Sequence, residues 1–433
     1  MMIQAFYTGV SGLKTYQEAL DVVSDNAANT STIGFRGYSA EFTSLFEKQL
    51  NTTHSASSVD STVGVGTRVN AISMDNKIGS YMLTERSTDL AIMGSGWFGI
   101  QGDGVPLYTR DGSFVFNSDR DLVTNDGHYV LGTMGKNIVD GKLTEQLAEV
   151  PLGEVAAQEK LRFPENLTFP TQPTTEVKFY GNLGVEDETR VMSAKAIDPQ
   201  NNKNNIRLEF KKVDPQVLPG SQWNVVATAQ SLDVKSVFDP LTGETYLEPA
   251  EIYDTQIGVV EFDDGGALVT NTLGIIDNNG SAVNIDLSTG FNGVTAIKNP
   301  FMASSSSDGI EAGELAGYDI NRNGEVVAAF TNGMQSSVGT IAIYHFTNER
   351  GLERVNGSRF AQSSNSGEPL FFKDDQGRNR SDTYISNYKL ESSNVRMEVA
   401  LTEMIIIQKA HSANSKCVTT ADEMLQKALS MHR

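Results

Sequence analysis

The 433-residue chain has little cysteine, proline or positive charge, and no long apolar run. Its single cysteine excludes an intrachain disulfide framework and a cysteine-based zinc site. Lys and Arg number 34 against 54 Asp and Glu, which gives a net charge of −20. This balance argues against sequence-general nucleic-acid binding, which needs cations to displace phosphate counterions, and against docking on anionic lipid. We therefore expect no nucleic-acid partner.

The apolar runs are short, as in 404–407, and none approaches the ~20 residues needed to span a bilayer. We therefore expect no membrane insertion. The first residues lack the basic start and the apolar core of a secretory signal. Composition alone leaves two possibilities open: a cytosolic protein, or a protein exported by a route that needs no cleaved signal.

Turn-forming residues are what the sequence has in abundance. Its 39 glycines beside only 12 prolines suit many short strands. Apolar alternation at 177–179, 206–210, 225–226, 259–262 and 339–343 predicts strands, and Asn-Gly and Asp-Gly dipeptides predict the turns between them. The predicted fold class is mainly β: a discontinuous multi-domain β protein with paired N- and C-terminal α-helices that form a coiled-coil-like base.

Both ends of the chain carry apolar residues at the steps of three and four that are typical of helices, over 1–30 and 395–433. An isolated helix with a wet apolar stripe is marginal in water, so these two should pair with each other, with other subunits, or with both. The predicted self-assembly residues of the first helix are Ile3, Phe6, Val10, Leu13, Leu20 and Ala27. Those of the second helix are Ala400, Met404, Ile407, Val418, Ala421 and Leu425.

The pattern divides the chain into four units. Residues 1–30 plus 395–433 form a terminal helical assembly domain, and 31–79 plus 370–394 form a connector. Residues 80–145 plus 301–369 form an inner β domain, into which 146–300 insert as an outer β domain. The polar stretch 51–67 is interpreted as an extended loop, and 303–313 as a joint between domains.

The motifs that suggest chemistry are weak. Gly94 to Gly99 match GxGxxG, but a further strand follows where a dinucleotide site needs a helix, so a β-turn is predicted. A partial calcium loop begins at Asp319, yet its twelfth position is Phe330 rather than Glu. Cys417 is predicted as a small core residue. A carboxylate pair for glycoside hydrolysis stays open, although nothing marks one out. We expect no enzyme, no cofactor and no metal.

Three blocks of sequence resemble the flagellar rod and hook protein family. Residues 26–36 (NAANTSTIGFR) are similar to that family's NNIANxxTxGFK, and 88–98 and 108–114 to its TDLAIxGxGFF and YTRxGxF. Residues 393–395, 413–416 and 419–425 resemble its closing helix, so the agreement covers about 1–135 and 310–433. The family-motif residues are Asn26, Asn29, Gly34, Phe35 and Arg36, of which the last replaces a commoner Lys. Physically, the Asn- and Thr-rich stretch competes for helix hydrogen bonds, and the glycine supplies a positive φ.

Residues 317–324, 331–333, 351–355 and 365–367 favour the hook-type members of this family over the distal rod type. The resemblance implies a subunit that polymerises into the hook, a flexible tubular universal joint that transmits torque from rod to filament. It also implies an extracellular flagellar location and export without a cleaved signal peptide. The implied partners are the protein itself, the distal rod protein, the hook cap protein, the hook–filament junction proteins and the flagellar type III export apparatus.

Two alternatives remain. The first is a distal rod or hook-like basal-body subunit of the same family, which differs in where it stacks. The second is a secreted β-rich adhesin or a glycan-acting enzyme, which would need a ligand cleft that no feature of the sequence indicates.

Overall fold

A computed structural model describes residues 2–45, 47–49, 62–102, 104–186, 188–216, 219–232, 236–238, 245–247, 250–373, 375–380 and 383–431. A helix opens the chain, a helix closes it, and strands lie between them. Helix α1 spans Met2–Ala28 and helix α2 spans Met397–Ser430, and the two pack together. The mainly β fold class with paired terminal helices is therefore confirmed.

The first run of strands covers the connector and much of the inner domain. Its antiparallel hairpin β1–β4 packs beside α1, as the element contacts show. The strands are β1 (Tyr38–Ser44), β2 (Glu47–Gln49), β3 (Thr62–Gly64), β4 (Thr67–Met74), β5 (Tyr81–Leu83), β6 (Leu90–Met93), β7 (Trp97–Gln101), β8 (Pro106–Thr109), β9 (Phe114–Phe116), β10 (Leu122–Thr124), β11 (Leu131–Met134), β12 (Ile138–Val139), β13 (Lys142–Leu143), β14 (Glu159–Lys160) and β15 (Thr168–Phe169).

The outer domain holds a five-stranded antiparallel sheet in the order β17-β18-β19-β22-β23 and a second sheet around β16. Its long strands include the predicted alternating runs. The strands are β16 (Glu176–Asn182), β17 (Arg190–Ile197), β18 (Lys203–Lys212), β19 (Ser221–Ser231), β20 (Ser236–Phe238), β21 (Thr245–Leu247), β22 (Ile252–Phe262), β23 (Leu268–Asn271), β24 (Ile276–Asp277), β25 (Ala282–Asp286), β26 (Val294–Thr295) and β27 (Met302–Ser307).

The chain then returns through the inner domain and the connector to α2. An eight-stranded sheet in the order β12-β13-β15-β28-β29-β30-β11-β14 joins both halves of the inner domain. The returning strands are β28 (Gly313–Ile320), β29 (Glu325–Phe330), β30 (Gln335–Ile341), β31 (Ile343–Tyr344), β32 (Glu353–Asn356), β33 (Arg359–Ala361), β34 (Phe372–Lys373), β35 (Asn379–Arg380), β36 (Tyr384–Asn387) and β37 (Lys389–Glu391).

Each β domain has its own apolar core. The outer core gathers side chains between Val177 and Ala296 around Trp223. The inner core combines residues from both sides of the insertion, and a third cluster surrounds Trp97, whose ring meets Phe360 edge-on at 4.8 Å. Two halves that are distant in sequence thus share one core.

The edges of the predicted units differ in detail from the observed packing. Leu161, Phe163 and Phe169, which the sequence assigned to the insertion, pack in the inner core, and the outer core begins at Val177. The predicted joint at 303–313 includes β27, which pairs with β16. A serine run can form this strand because ladder hydrogen bonds join backbone groups and need no apolar side chain. Of the predicted loop at 51–67, residues 51–61 lie outside the described part of the chain. The four boundaries stay predictions.

Candidate assembly surface and the clamp beside it

Helix α1 approaches α2 through glycines. A β-carbon added to Gly9 would lie 2.7 Å from Val418 Cγ2, and one added to Gly12 would lie 2.6 Å from Asn414 Oδ1. Each glycine costs about 1 kcal/mol in an isolated helix relative to alanine. Here the missing side chain lets the two helix backbones come close, so the features that weaken α1 alone are those that pair it with α2.

The same side of α1 also covers the connector hairpin. Ala19 and Val23 are buried, and the single O–H of Thr15 is shared between the carbonyl of Ser11 at 2.8 Å and that of Thr67 at 3.0 Å. Since Thr67 begins β4, this second bond fixes the hairpin against the helix. The base of the molecule therefore consists of two helices and a hairpin.

The predicted stripe of α1 is only partly buried. Phe6, Leu13, Leu20 and Ala27 are half-buried, and Val10 remains 41% exposed. The side chain of Ile3 lies outside the described residues. The periodicity predicted an apolar face, but it missed the small-residue face that contacts α2, because glycine and threonine carry no apolar signal. The stripe is thus only partly covered within the chain, and its role in assembly stays a prediction.

The predicted seam of α2 coincides with its least exposed side. Ala400 and Ala421 are buried, and the four other predicted residues are half-buried. The sides away from this seam are wet and apolar, since Ile405 is 57% exposed and Ile406 is 61% exposed. Cys417, predicted as a core residue, is exposed instead, because it falls off the seam by one helical step from Val418. Helix α2 therefore presents one side to α1 and leaves apolar surface elsewhere.

The family motif closes α1 with side-chain hydrogen bonds to the backbone. The Asn26 amide donates to the Tyr38 carbonyl at 2.6 Å and accepts from the Tyr38 N–H at 2.8 Å. The Asn29 amide donates to the Asp25 carbonyl at 2.8 Å and accepts from the Thr32 hydroxyl at 3.0 Å. An asparagine that donates and accepts at once joins the helix end to the first residue of β1, which accounts for the residue type at position 26.

Gly34 occupies a place that no other residue fits. Its φ is +65°, and a β-carbon there would lie 2.5 Å from the Arg110 carbonyl carbon and from the Asp111 nitrogen. Its N–H donates to the Glu391 carbonyl at 2.8 Å. The motif loop therefore wedges its backbone between the inner domain and the returning C-terminal strand, while the neighbouring Phe35 ring is buried.

Arg36 belongs to a buried ion network. Its Nη2 lies 2.9 Å from Glu391 Oε1, and Arg110 Nη1 lies 3.2 Å from Glu391 Oε2, with all three side chains at most 2% exposed. Arg36 also donates to the Lys77 carbonyl, and the Gly79 N–H donates to Glu391 at 2.9 Å. One carboxylate thus holds two guanidinium groups and the connector backbone, and we call this group the Glu391 clamp.

The Glu391 clamp holds two like charges close together, and these repel each other. Burial lowers the pKa of Arg110 to about 10, and Glu391 opposes this shift while the like charge of Arg36 adds to it. Arg110 is further held by the Gly94 carbonyl at 2.7 Å and lies 5.5 Å from the Trp97 ring centre. Two buried cations beside one anion are costly, and the cost is greater here because Arg110 Nε is buried without a hydrogen-bond partner among the described residues. Removing the anion would therefore be costly.

Asn394 repeats the arrangement on the C-terminal side. Its amide donates to the carbonyls of Asp75 and Lys77 at 2.9 and 3.0 Å and accepts from the Gly37 N–H at 2.7 Å. Three segments far apart in sequence meet here, just before α2 begins. Asn394 and Arg110 lie in blocks that resemble the family, but the sequence did not predict a role for Glu391. No pattern in one sequence marks a lone glutamate as buried, so its only signal was its place beside a family block.

A separate bridge joins the base to the third cluster of the β region. Arg354 Nη1 lies 2.7 Å from Asp25 Oδ2, and its guanidinium lies over the rings of Phe35 and Tyr38 at 5.1 and 5.6 Å. The side chains are partly exposed, so the bridge is weaker than the clamp.

The motifs that suggested chemistry have structural roles. Gly94 and Gly96 lie in the turn between β6 and β7 and have positive φ, and Asn321 to Gly324 form the turn between β28 and β29. Among the residues that the structure describes, no group of three or more His, Cys, Asp or Glu side chains could hold a metal ion. Over the same residues, no helix is both long and apolar enough to cross a bilayer.

Comparison with known families gives three matches in chain order. Residues 6–36 match the description "Flagella basal body rod protein", and 91–174 match "Flagellar hook protein FlgE/F/G D1 domain". Residues 387–431 match "Flagellar basal body rod FlgEFG protein C-terminal". The first match contains the family motif, and the last contains the Glu391 clamp and α2. These matches confirm the resemblance to the class of flagellar rod and hook proteins.

Within that class the chain is similar to hook proteins from end to end. It is 26% identical to the flagellar hook protein FlgE of Borreliella burgdorferi, over 98% of this chain and 99% of that protein. It is 28% identical to the one from Brucella suis biovar 1, over 98% of each chain. It is 26% identical to that of Salmonella typhimurium, over 99% of this chain and all of that protein.

A solved structure also matches. The crystal structure of Helicobacter pylori flagellar hook protein FlgE2 aligns with a TM-score of 0.48 and 17% identity, over 72% of this chain and all of that one.

Proposed function

We propose that this protein is a structural subunit that polymerises into the flagellar hook, the flexible tube between rod and filament. The observation that carries the proposal is the solvent-exposed apolar surface of the two helices. Val10, Ile405 and Ile406 are 41–61% exposed on elements that belong to the matched family regions. Several large apolar side chains left in solvent on two packed helices support a protein–protein contact at this surface.

The two sides of each helix would have different roles. The glycine side of α1 and the seam of α2 hold the pair together within one chain. The stripe of α1 and the outer side of α2, with Leu401 and Ile405, would contact neighbouring copies. A contact between unlike surfaces repeats from copy to copy without closing, and it therefore generates a helical polymer.

The Glu391 clamp would set how the base meets the β domains. It ties the motif loop, the connector and the strand before α2 into one buried group. A subunit that transmits torque needs such a rigid joint between the layer that polymerises and the domains outside it. The clamp supplies rigidity at that point, and the exposed Arg354–Asp25 bridge supplies a weaker second contact.

The β domains would form the looser outer layers. They carry polar strands, and the whole chain has a net charge of −20. Like-charged, polar surfaces favour wet contacts of modest strength, which can shift as a curved tube turns. The boundaries 1–30, 31–79, 80–145 and 146–300, with their C-terminal counterparts, describe these layers in the proposal.

The remaining parts of the proposal rest on the family resemblance. The partners would be further copies of this chain, the distal rod protein, the hook cap protein, the hook–filament junction proteins and the type III export apparatus. The location would be the extracellular flagellum, with export that needs no cleaved signal. The role would be structural rather than catalytic, as it is for the class of proteins that the chain resembles.

Electron microscopy of the purified full chain tests the proposal. The wild-type chain should form tubes, whereas Leu13→Asp and Ile405→Asp, which place a charge on the outer helix surfaces, should not. Ile257→Asp is the matched control, because Ile257 is 75% exposed on the outer domain, and it should form tubes. Thermal unfolding of the β domains should be the same in all four proteins. Normal tubes from both helix variants would contradict the proposal.

Tube shape separates hook from rod. The second candidate function, a distal rod or hook-like subunit, predicts straight tubes, and the hook predicts curved ones. The match to hook proteins over at least 98% of the chain favours the curved form.

A further inference from the structure

We propose that Asn356 is a site of spontaneous deamidation, selected by the fold from five Asn-Gly dipeptides. In this reaction the backbone nitrogen of the glycine attacks the asparagine Cγ, loses its proton and expels ammonia, which leaves a five-membered imide. Water then opens the imide to aspartate or isoaspartate. The net change is one water consumed and one ammonia released, with no oxidation or reduction. An intramolecular attack of this kind requires the two atoms to reach each other.

In three of the five dipeptides the glycine N–H, which supplies the attacking nitrogen, already donates a hydrogen bond. The N–H of Gly280 donates to Asp277 Oδ1 at 3.0 Å. The N–H of Gly324 donates to the Asn321 carbonyl at 3.1 Å, and that of Gly333 to the Phe330 carbonyl at 3.0 Å. A bonded N–H resists deprotonation, because losing its proton also breaks the hydrogen bond.

The asparagines of two of these pairs are also held in place. Asn332 donates to the Glu311 carbonyl at 2.7 Å and accepts from the Met334 N–H at 3.0 Å. Asn279 donates to Asp198 Oδ2 at 2.6 Å. These side chains cannot rotate onto their own backbone without losing those bonds.

The fourth pair is closed by packing. Gly293 is buried, and a β-carbon there would lie 2.0 Å from the Leu287 carbonyl oxygen. Closing the imide ring adds no atom, but it requires the Asn292–Gly293 peptide to rotate, and a backbone packed this closely against Leu287 opposes that rotation.

Asn356 and Gly357 lack every one of these restraints. Both are exposed at the tip of the β32–β33 hairpin. Gly357 has a φ of +58°, and among the described residues other than its chain neighbours no atom lies within 4 Å of where its β-carbon would be. Among the described residues, neither the Asn356 amide nor the Gly357 N–H makes a hydrogen bond. This pair alone combines a free nucleophile, a free side chain and open space.

The position gives the reaction a consequence. Arg354, two residues away, donates its Nε to the Gly357 carbonyl at 3.0 Å and holds Asp25 through Nη1. Deamidation adds a carboxylate beside this guanidinium, and isoaspartate lengthens the turn that it bonds. Both changes compete with the bridge between α1 and the β region. The expectation that this change would loosen an ageing hook rests on the proposed function. The deamidation itself does not depend on that function.

Mass spectrometry of the soluble full chain tests the site. The folded protein is incubated at mildly alkaline pH and digested with trypsin, which releases 355–359 as one peptide and 323–350, with Asn323 and Asn332, as another. Asn356 should deamidate at least about fivefold faster than either, since a hydrogen bond of ordinary net strength supplies that factor. Incubation in denaturant should bring the five rates together. Equal rates in the folded chain, or faster reaction at another Asn-Gly pair, would overturn the proposal.

Two variants separate the site from its effect. Asn356→Gln keeps the amide but disfavours the ring, and it should suppress the mass change in 355–359. Asn356→Asp reproduces the product, and it should make Asp25→Asn less destabilising than it is in the wild-type chain, because the bridge is already weakened. An unchanged effect of Asp25→Asn would leave no role for the turn in the bridge and would refute that consequence. Neither readout requires polymerisation, so failure here is distinct from failure of the hook proposal.

Discussion

The β domains bury their apolar side chains, whereas the helical base leaves many of its own exposed to solvent. In the outer domain Ile206, Phe210 and Trp223 are fully buried, whereas in α2 Ile405 and Ile406 are more than half exposed. Hydrophobic burial contributes about 25 cal/mol for each Å² removed from water, so the β domains realise that stabilisation within one chain. The base leaves part of it unrealised. The exposed apolar side chains of the base are the surface through which contacts with further copies are proposed to form.

The largest expected effect lies where the two regions meet. Glu391→Ala should lower the free energy of unfolding by about 3–5 kcal/mol, because it leaves Arg36 and Arg110 buried without their anion. Urea denaturation of the soluble chain measures this loss. Glu398→Ala removes an exposed partner of Arg396 and should change stability far less, because solvent screens such a pair. Similar losses of unfolding free energy from both variants would show that Arg36 and Arg110 do not depend on the Glu391 carboxylate.

The next prediction compares the two regions through one residue type. Ile206→Ala should cost about 2–5 kcal/mol, because it opens a cavity in the outer core. Ile406→Ala should stay within about 0.5 kcal/mol in the monomer, as expected of an exposed site. Polymerisation should respond in the reverse order, with the α2 variant slower to form tubes by turbidity. A large loss of monomer stability from Ile406→Ala would mean that this side chain already packs within one chain.

A third prediction concerns the backbone wedge. Gly34→Ala should destabilise by about 1–3 kcal/mol more than Gly333→Ala, because both have positive φ but only Gly34 meets backbone at 2.5 Å. The control isolates the cost of close approach from that of the left-handed conformation. Chemical denaturation of both variants measures the difference. Equal losses would show that the motif loop can move away from Arg110.

The sequence predicted the elements better than their contacts. The seam of α2 and the strands at 206–210 and 259–262 were predictable, because apolar periodicity reports which side of an element is buried. The side of α1 that meets α2 was not predictable in this way. Gly9, Gly12 and Thr15 carry no hydrophobic signal, and their role becomes visible only beside Val418 and Asn414.

The clamp shows the same limit. Arg36 and Gly34 were found through the family motif, yet nothing in one sequence indicates that Arg110 and Glu391 meet, since they are 281 positions apart. A charged residue reads as a surface residue by default, because burial of an unpaired charge is costly. Only the fold supplies the partner that makes such burial tolerable.

The smallest expected effect is a pH dependence inside the inner domain. Asp121 is buried and accepts hydrogen bonds from Arg162 at 2.6 and 3.0 Å, and this partner lowers the pKa of the carboxyl group below its usual range. A carboxyl with a depressed folded pKa contributes stability above the unfolded value of about 3.9 and loses it as pH falls through the folded pKa. The wild-type chain should therefore weaken in acid more than Arg162→Ala, which has already lost the pairing. Urea midpoints at neutral and acidic pH measure this slope, with Arg207→Ala as an exposed-pair control. If both variants and the wild type lose stability equally as the pH falls, the Arg162–Asp121 pair does not contribute to the stability of the inner domain. The Glu391 clamp would then be the one of these two charged groups whose loss is costly.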